Sequence, residues 1–140
     1  MLKIPKNIRD EMLAQAKKDA PIEACGYLAG KGSRVEKRFA LRNADNSSEH
    51  FSFEPKEQFQ TVKEARAAGL ELLAVYHSHP ATPARPSEED LKLAFDPDTV
   101  YVIISLLEQS PNITAFRVKG KQTVKVPIEI TGNQIERRSA

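Results

Sequence analysis

Apolar positions along the chain follow two rhythms, one of about three to four residues and one of two, and each implies an element. Leu2 and Ile4 flank Lys3 as in a short strand over residues 2–4. Pro5 and Asn7 then introduce a helix to about Lys18, with Met12, Leu13 and Ala16 on its apolar side and Pro21 closing it. Residues 24–29 read as a strand, Gly30, Lys31 and Gly32 as a turn, and residues 34–41 as the returning strand. A polar loop over 43–49 leads to Phe51 and Phe53, which alternate as in a brief strand. Pro55 suits the first turn of a second helix, with Phe59, Val62 and Ala65 on one side and Gly69 ending it. Residues 70–79 form the next predicted strand, and its run Leu72, Leu73, Ala74, Val75 is typical of burial on both faces. A loop over 80–86 is stiffened by Pro80, Pro83 and Pro86, and a short helix follows over 88–94. Strands over 100–106, 113–118 and 123–130 close the chain, with Gly120 turning the last pair. The tail over 131–140 is polar and expected to fray. No repeat, low-complexity stretch or linker interrupts residues 1–130, so one mixed α/β domain is expected.

Composition narrows the function classes more than it alters this picture. A chain of 140 residues has room for one domain with a proper core. A formal net charge of +2, without a basic tract, argues against nucleic acid or an acidic membrane as the main partner. Cys25 is the single cysteine, which rules out an internal disulfide and suits a reducing cytoplasm. The first residues carry no signal-peptide stretch, and the longest apolar run, near 100–107, is short of the roughly 20 residues a bilayer span requires. A cytoplasmic protein, monomeric or a small homo-oligomer, is the expectation. Any imidazole metal site must draw on His50, His77 and His79.

The predicted strand over 70–79 ends in His77-Ser78-His79. Strand alternation sends residues two apart to one face with Cα atoms roughly 6.6 Å apart. Two imidazoles at that spacing can converge on one ion. The proline-stiffened loop then delivers Ser87-Glu88-Glu89-Asp90, and Asp90, one turn into a helix, can swing back as a third ligand. Two imidazoles and a carboxylate leave the fourth tetrahedral position open, as in catalytic zinc sites, although iron or manganese also accept such a set. Ser87 and Asp90 have a simpler reading as a capping box, and Glu88 and Glu89 as solvated first-turn acids. Cys25 reads as a small buried residue, His50 as a polar loop residue, and Phe51, Phe53 and Phe59 as core or as the border of a groove. Ser105 and its strand are a candidate for pairing with an extended substrate tail.

The whole pattern H-x-H-x₇-S-x-x-D, with Glu23 upstream of Ala24-Cys25-Gly26-Tyr27-Leu28, resembles the JAMM (MPN-plus) zinc metallopeptidases of the prokaryotic single-domain type, over residues 1–130. The resemblance implies a curved mixed β-sheet flanked by helices, similar to cytidine deaminases. It implies Zn2+ held by His77, His79 and Asp90, with Glu23 as general base and Ser87 donating a hydrogen bond near the attacking water and the oxyanion. It also implies hydrolysis of a peptide or isopeptide bond beside the C-terminal Gly-Gly of a ubiquitin-like or sulfur-carrier protein. No insertion suited to gripping polyubiquitin is evident between Tyr76 and Val100. Two other readings compete. Non-catalytic MPN-type scaffolds usually lack the histidines or the aspartate, and RadC-like proteins of DNA repair usually carry a further helix-hairpin-helix region.

Overall fold

The computed structural model describes residues 1–94 and 96–132; most of the polar tail expected over 131–140 lies outside the described residues. Among the described residues, eight strands and three helices follow in the order β1 (Leu2–Pro5), α1 (Lys6–Asp19), β2 (Cys25–Lys31), β3 (Arg34–Leu41), α2 (Pro55–Ala67), β4 (Glu71–His79), α3 (Glu88–Leu93), β5 (Val100–Ser105), β6 (Asn112–Lys119), β7 (Gln122–Val126) and β8 (Ile128–Thr131). The strands form one mixed sheet in the order β7-β6-β5-β4-β2-β3-β1-β8. The central strand β4 runs antiparallel to β2 and parallel to β5.

The predicted strand over 123–130 is in fact two strands. Pro127 has no N–H to donate and interrupts the extended segment, separating β7 from β8. β8 then pairs with β1 at the other end of the sheet, and the Pro127 carbonyl accepts from the Leu2 amide at 2.8 Å. Only one residue separates β7 from β8, yet they occupy opposite ends of the strand order. The sheet must therefore curl until its two ends nearly meet, which gives the curved, almost barrel-like shape.

The helices cover the sheet according to their apolar spacing. Ile8, Met12 and Ala16 recur every four residues on α1 and are buried with Leu2, Ile4, Leu28, Tyr76 and Ile104. On α2 the buried positions are Thr61 and Ala65, and Phe59 is 65% exposed, so the expected Phe59 face is corrected. Phe59 lies two residues from Thr61, about 200° around the helix, and therefore points outward. Gly69, with φ of 72°, follows the α2 C-terminus as expected. Phe51 and Phe53 form no strand, because both edges of β4 are already paired. They stack in an aromatic line instead, with ring centroids 5.5 Å apart and Phe53 4.9 Å from Tyr27.

Alternation along β4 decides what faces where. Tyr76 packs with the α1-side core, and His77 and His79 point to the opposite face, over which α2 and α3 lie. Gly26 of β2 is required by this packing: a Cβ there would sit 2.2 Å from the Phe39 carbonyl oxygen and 2.6 Å from the Tyr76 ring. Among the described residues no helix is long and apolar enough to cross a membrane.

Candidate metal centre

The carboxyl end of β4 carries His77 and His79 on one face, both buried. Their Nε2 atoms are 3.1 Å apart, and Asp90 closes the triangle with Oδ2 3.1 Å from His79 Nε2 and Oδ1 3.2 Å from His77 Nε2. A tetrahedral site with donors about 2.0–2.1 Å from the ion has edges of about 3.4 Å, so the three donors stand close to the spacing zinc requires. The donor chemistry agrees. The His79 Nδ1–H donates to the Pro83 carbonyl at 2.8 Å, which fixes the tautomer and leaves the Nε2 lone pair turned inward. Pro83 belongs to the proline-stiffened loop, so the stiffening has a direct use. Burial lowers the basicity of His77, which leaves its ring neutral, and Phe51 stacks on that ring at 4.8 Å and 27°. His77 Nδ1 has no hydrogen-bond partner among the described residues.

Asp90 reaches this point because of how α3 begins. Ser87 is the N-cap: its Oγ accepts from the Asp90 amide at 3.0 Å, and the Ser87 amide donates to Asp90 Oδ2 at 2.9 Å. This reciprocal pair is the expected capping box. It also holds the Asp90 carboxylate over the end of β4. Burial alone would raise the Asp90 pKa, but the adjoining His77 and His79 imidazoles hold it well below the usual carboxylate range. Burial likewise opposes the charged form of His79, yet Asp90, the Pro83 carbonyl and Glu23 together raise its pKa.

Glu23 stands in the segment just before β2 and is brought here by strand register. Cys25 pairs with His77, and residue 24 still exchanges bonds with Ser78: the Ser78 amide donates to Ala24 O at 2.9 Å, and the Ala24 amide to Ser78 Oγ at 2.8 Å. One further step of the same antiparallel register sets Glu23 beside His79. Its backbone is clamped by the following loop, N–H to Ser47 O at 2.9 Å and C=O from Asn43 Nδ2 at 3.1 Å. The side chain is buried, and Oε1 has no hydrogen-bond partner among the described residues. Burial raises its pKa to about 8; His79 pulls it down, and Asp90 and Glu49 push it up.

The remaining candidates divide. Cys25 is buried, with its thiol pushed up to about 12 by burial, so it is a packing residue and not a nucleophile. Ser105 cannot pair with a substrate: β5 is hydrogen-bonded to β4 and β6 on both sides, and the Ser105 hydroxyl donates to Thr82 O at 2.6 Å. The notion of tail pairing there is corrected. One residue, Asn43, escaped sequence reasoning, and Phe51, expected as core or groove border, has a further use. Asn43 is buried and clamps the loop over 43–52 through Glu23, Ser47 and His50, and Phe51 supports His77. An Asn in a polar loop carries no periodic signal, and only its burial marks it out.

Space for a ligand lies beside the donor cluster. A groove of about 560 Å³ runs past Tyr27, Phe53, Leu73, Val75 and Thr99. It shares Phe51 and Tyr101 with a constriction of about 50 Å³ that His77 and Asp90 also line. Phe51 and Tyr101 thus join the groove to the donor cluster.

Comparison with known proteins agrees with the geometry. A family model described as prokaryotic homologs of the JAB domain matches residues 5–119. The CysO-cysteine peptidase of Mycobacterium tuberculosis is 33% identical over 133 residues, covering 93% of this chain and 91% of that protein. A probable TtuB-protein conjugate cleaving protease of Thermus thermophilus is 36% identical over 95 residues, 67% of this chain and 64% of that protein. The solution structure of a Desulfitobacterium hafniense protein superposes with a TM-score of 0.88 at 45% identity, covering 97% of this chain and 96% of that one.

Proposed function

Because the chain belongs to the prokaryotic JAB-domain family of JAMM-type hydrolases, we propose that it is a zinc peptidase acting on a carrier protein. The bond cleaved is the peptide or isopeptide bond that follows the C-terminal Gly-Gly of a ubiquitin-like or sulfur-carrier protein. The observation that carries this reading is the triangle of His77, His79 and Asp90, with edges of 3.1–3.2 Å, beside a buried Glu23 whose Oε1 has no protein partner. His77, His79 and Asp90 would hold the ion. Zinc held there supplies Lewis acidity to the scissile carbonyl and to the attacking water.

This chain's own groups supply the rest. Glu23 accepts the proton that leaves the water and delivers it to the departing amine nitrogen. Its burial favours the protonated form that must exist between the two transfers, and a cation at the donor triangle draws the pKa back toward neutrality. Ser87 Oγ accepts from the Asp90 amide through one lone pair, which leaves its hydrogen free to stabilise the oxyanion. The aromatic groove receives an extended arm of the carrier and leads toward the donor triangle past Phe51 and Tyr101, where the lining is narrow and glycine makes the least steric demand. The names of the mycobacterial and Thermus relatives, a CysO-cysteine peptidase and a TtuB-conjugate protease, point to substrates of this class. An intact donor set speaks against a non-catalytic scaffold.

The test uses purified protein with one equivalent of zinc and a carrier bearing a residue or protein after its Gly-Gly. Mass spectrometry should show release at that bond, loss of activity on chelation, and recovery on zinc addition. Glu23→Gln should bind zinc and cleave 10²–10⁴-fold more slowly. Full activity in that variant refutes the base assignment, and full activity after chelation refutes the metal.

A further inference from the structure

The constriction beside the donor triangle contains a third imidazole, that of His50. It neither joins the triangle nor supports one of its members, yet its orientation is fixed through a chain of four groups. His50 Nδ1 lies 2.9 Å from Asp45 Oδ2, and a carboxylate only accepts, so the hydrogen is on Nδ1. The other Asp45 oxygen accepts from Ser52 Oγ at 2.8 Å. The Asp45 amide donates to Asn43 Oδ1 at 3.0 Å, and Asn43 Nδ2 donates to the His50 carbonyl at 2.9 Å. The ring therefore has one tautomer and one pose, with Nε2 as an acceptor that takes no hydrogen bond among the described residues.

Stability does not account for this arrangement. The His50 and Asp45 side chains are 43% and 37% exposed, and an exposed pair of this kind adds little to stability. The location is more informative. His50 and the Glu89 carboxylate share the constriction with His77 and Asp90. Both are acceptors here, so the complementary group is an N–H. On the proposed peptidase reading the segment that reaches this space ends in glycine, whose one N–H is that of the main chain.

We propose that His50 is a substrate-contact residue whose Nε2 accepts the main-chain N–H of the carrier's last glycine, the residue whose carbonyl is attacked. This rests on the proposed peptidase reading for the identity of the threaded chain. Asp45 is then a positioning residue that acts through the tautomer of His50. Replacing it by Asn keeps the shape. With Ser52 donating to the amide oxygen, the amide nitrogen faces Nδ1, moves the ring hydrogen to Nε2 and turns the acceptor into a donor.

The experiment uses zinc-loaded protein and a ten-residue peptide ending in Gly-Gly-aminomethylcoumarin, together with its analogue in which the last glycine is N-methylated. His50→Phe and Asp45→Asn should each raise KM on the glycine peptide about ten-fold, the loss of one hydrogen bond, with kcat and zinc content unchanged. On the N-methyl peptide, wild type and His50→Phe should be equal. Unchanged KM in either variant overturns the proposal. So does a fall in kcat at constant KM, or a His50→Phe effect that persists on the N-methyl peptide. If wild type cleaves neither peptide, the peptidase reading is what has failed, and calorimetric binding of the glycine peptide then decides the contact. Binding about ten-fold weaker in His50→Phe sustains it; equal binding or none overturns it.

Discussion

Ser87 is given two roles, N-cap of α3 and hydrogen-bond donor in the reaction, and the two differ enough in magnitude to be separated. Its Oγ accepts from the Asp90 amide at 3.0 Å, so Ser87→Ala removes the cap as well as the hydroxyl. Loss of such a cap costs about 1 kcal/mol, at most about 2. In a domain of this size that lowers Tm by about 3–4 °C. It also bounds every effect that acts through the order of α3: about 1 kcal/mol is a five-fold change in population, and about 2 kcal/mol a thirty-fold change. Removing a donor to an oxyanion costs 10²–10³-fold in kcat. Ser87→Gly supplies the control, because glycine at an N-cap costs only a few tenths of a kcal/mol and carries no hydroxyl. The expected outcome is a Tm ordered wild type, Gly, Ala, with kcat reduced by at least 10² in both variants and zinc stoichiometry unchanged. Differential scanning calorimetry and steady-state kinetics on the same preparations give both readouts. If Ser87→Gly keeps activity within five-fold of wild type, the hydroxyl takes no part in the reaction and Ser87 is a cap alone.

Two further predictions test the frame around the site. Gly26→Ala would place a methyl 2.2 Å from the Phe39 carbonyl oxygen, a backbone atom that cannot rotate away, so a loss of about 3 kcal/mol is expected in urea denaturation; a loss under about 1 kcal/mol would mean that β2, β3 and Tyr76 pack less closely than described. In chelated protein, the Glu23 carboxyl titrates near 8 when folded, against an ordinary value of 4.5, because burial disfavours its charge. Between those values the unfolded chain has lost the proton and the folded one retains it, so this group's contribution to stability falls as pH rises from about 4.5 to about 8 and is level above that. Glu23→Gln lacks the effect, and its Tm advantage over wild type should therefore grow across that window; an advantage independent of pH would show that Glu23 is not held in a desolvating site.

What the sequence determined by itself was the chemistry that local geometry encodes. His77 and His79 share a face because strand alternation has a period of two, and Asp90 turns toward them because Ser87 and Asp90 can form a capping box three residues apart. The helix over Met12 and Ala16 and the paired strands around Gly32 were legible for the same reason. Placing Glu23 required more: its spacing to the histidines says nothing, and only the pairing of Cys25 with His77, 52 positions apart, sets it beside His79. The family resemblance supplied what periodicity could not. Tertiary structure alone decided that β8 leaves β7 to join β1, that both edges of β5 are taken, that Phe59 faces outward, and that Asn43 ties the loop of His50 and Phe51 to the backbone of Glu23. Each of these depends on which distant strands meet when the sheet curls. A hydrophobic pattern records which face of an element is buried, but not which partner buries it.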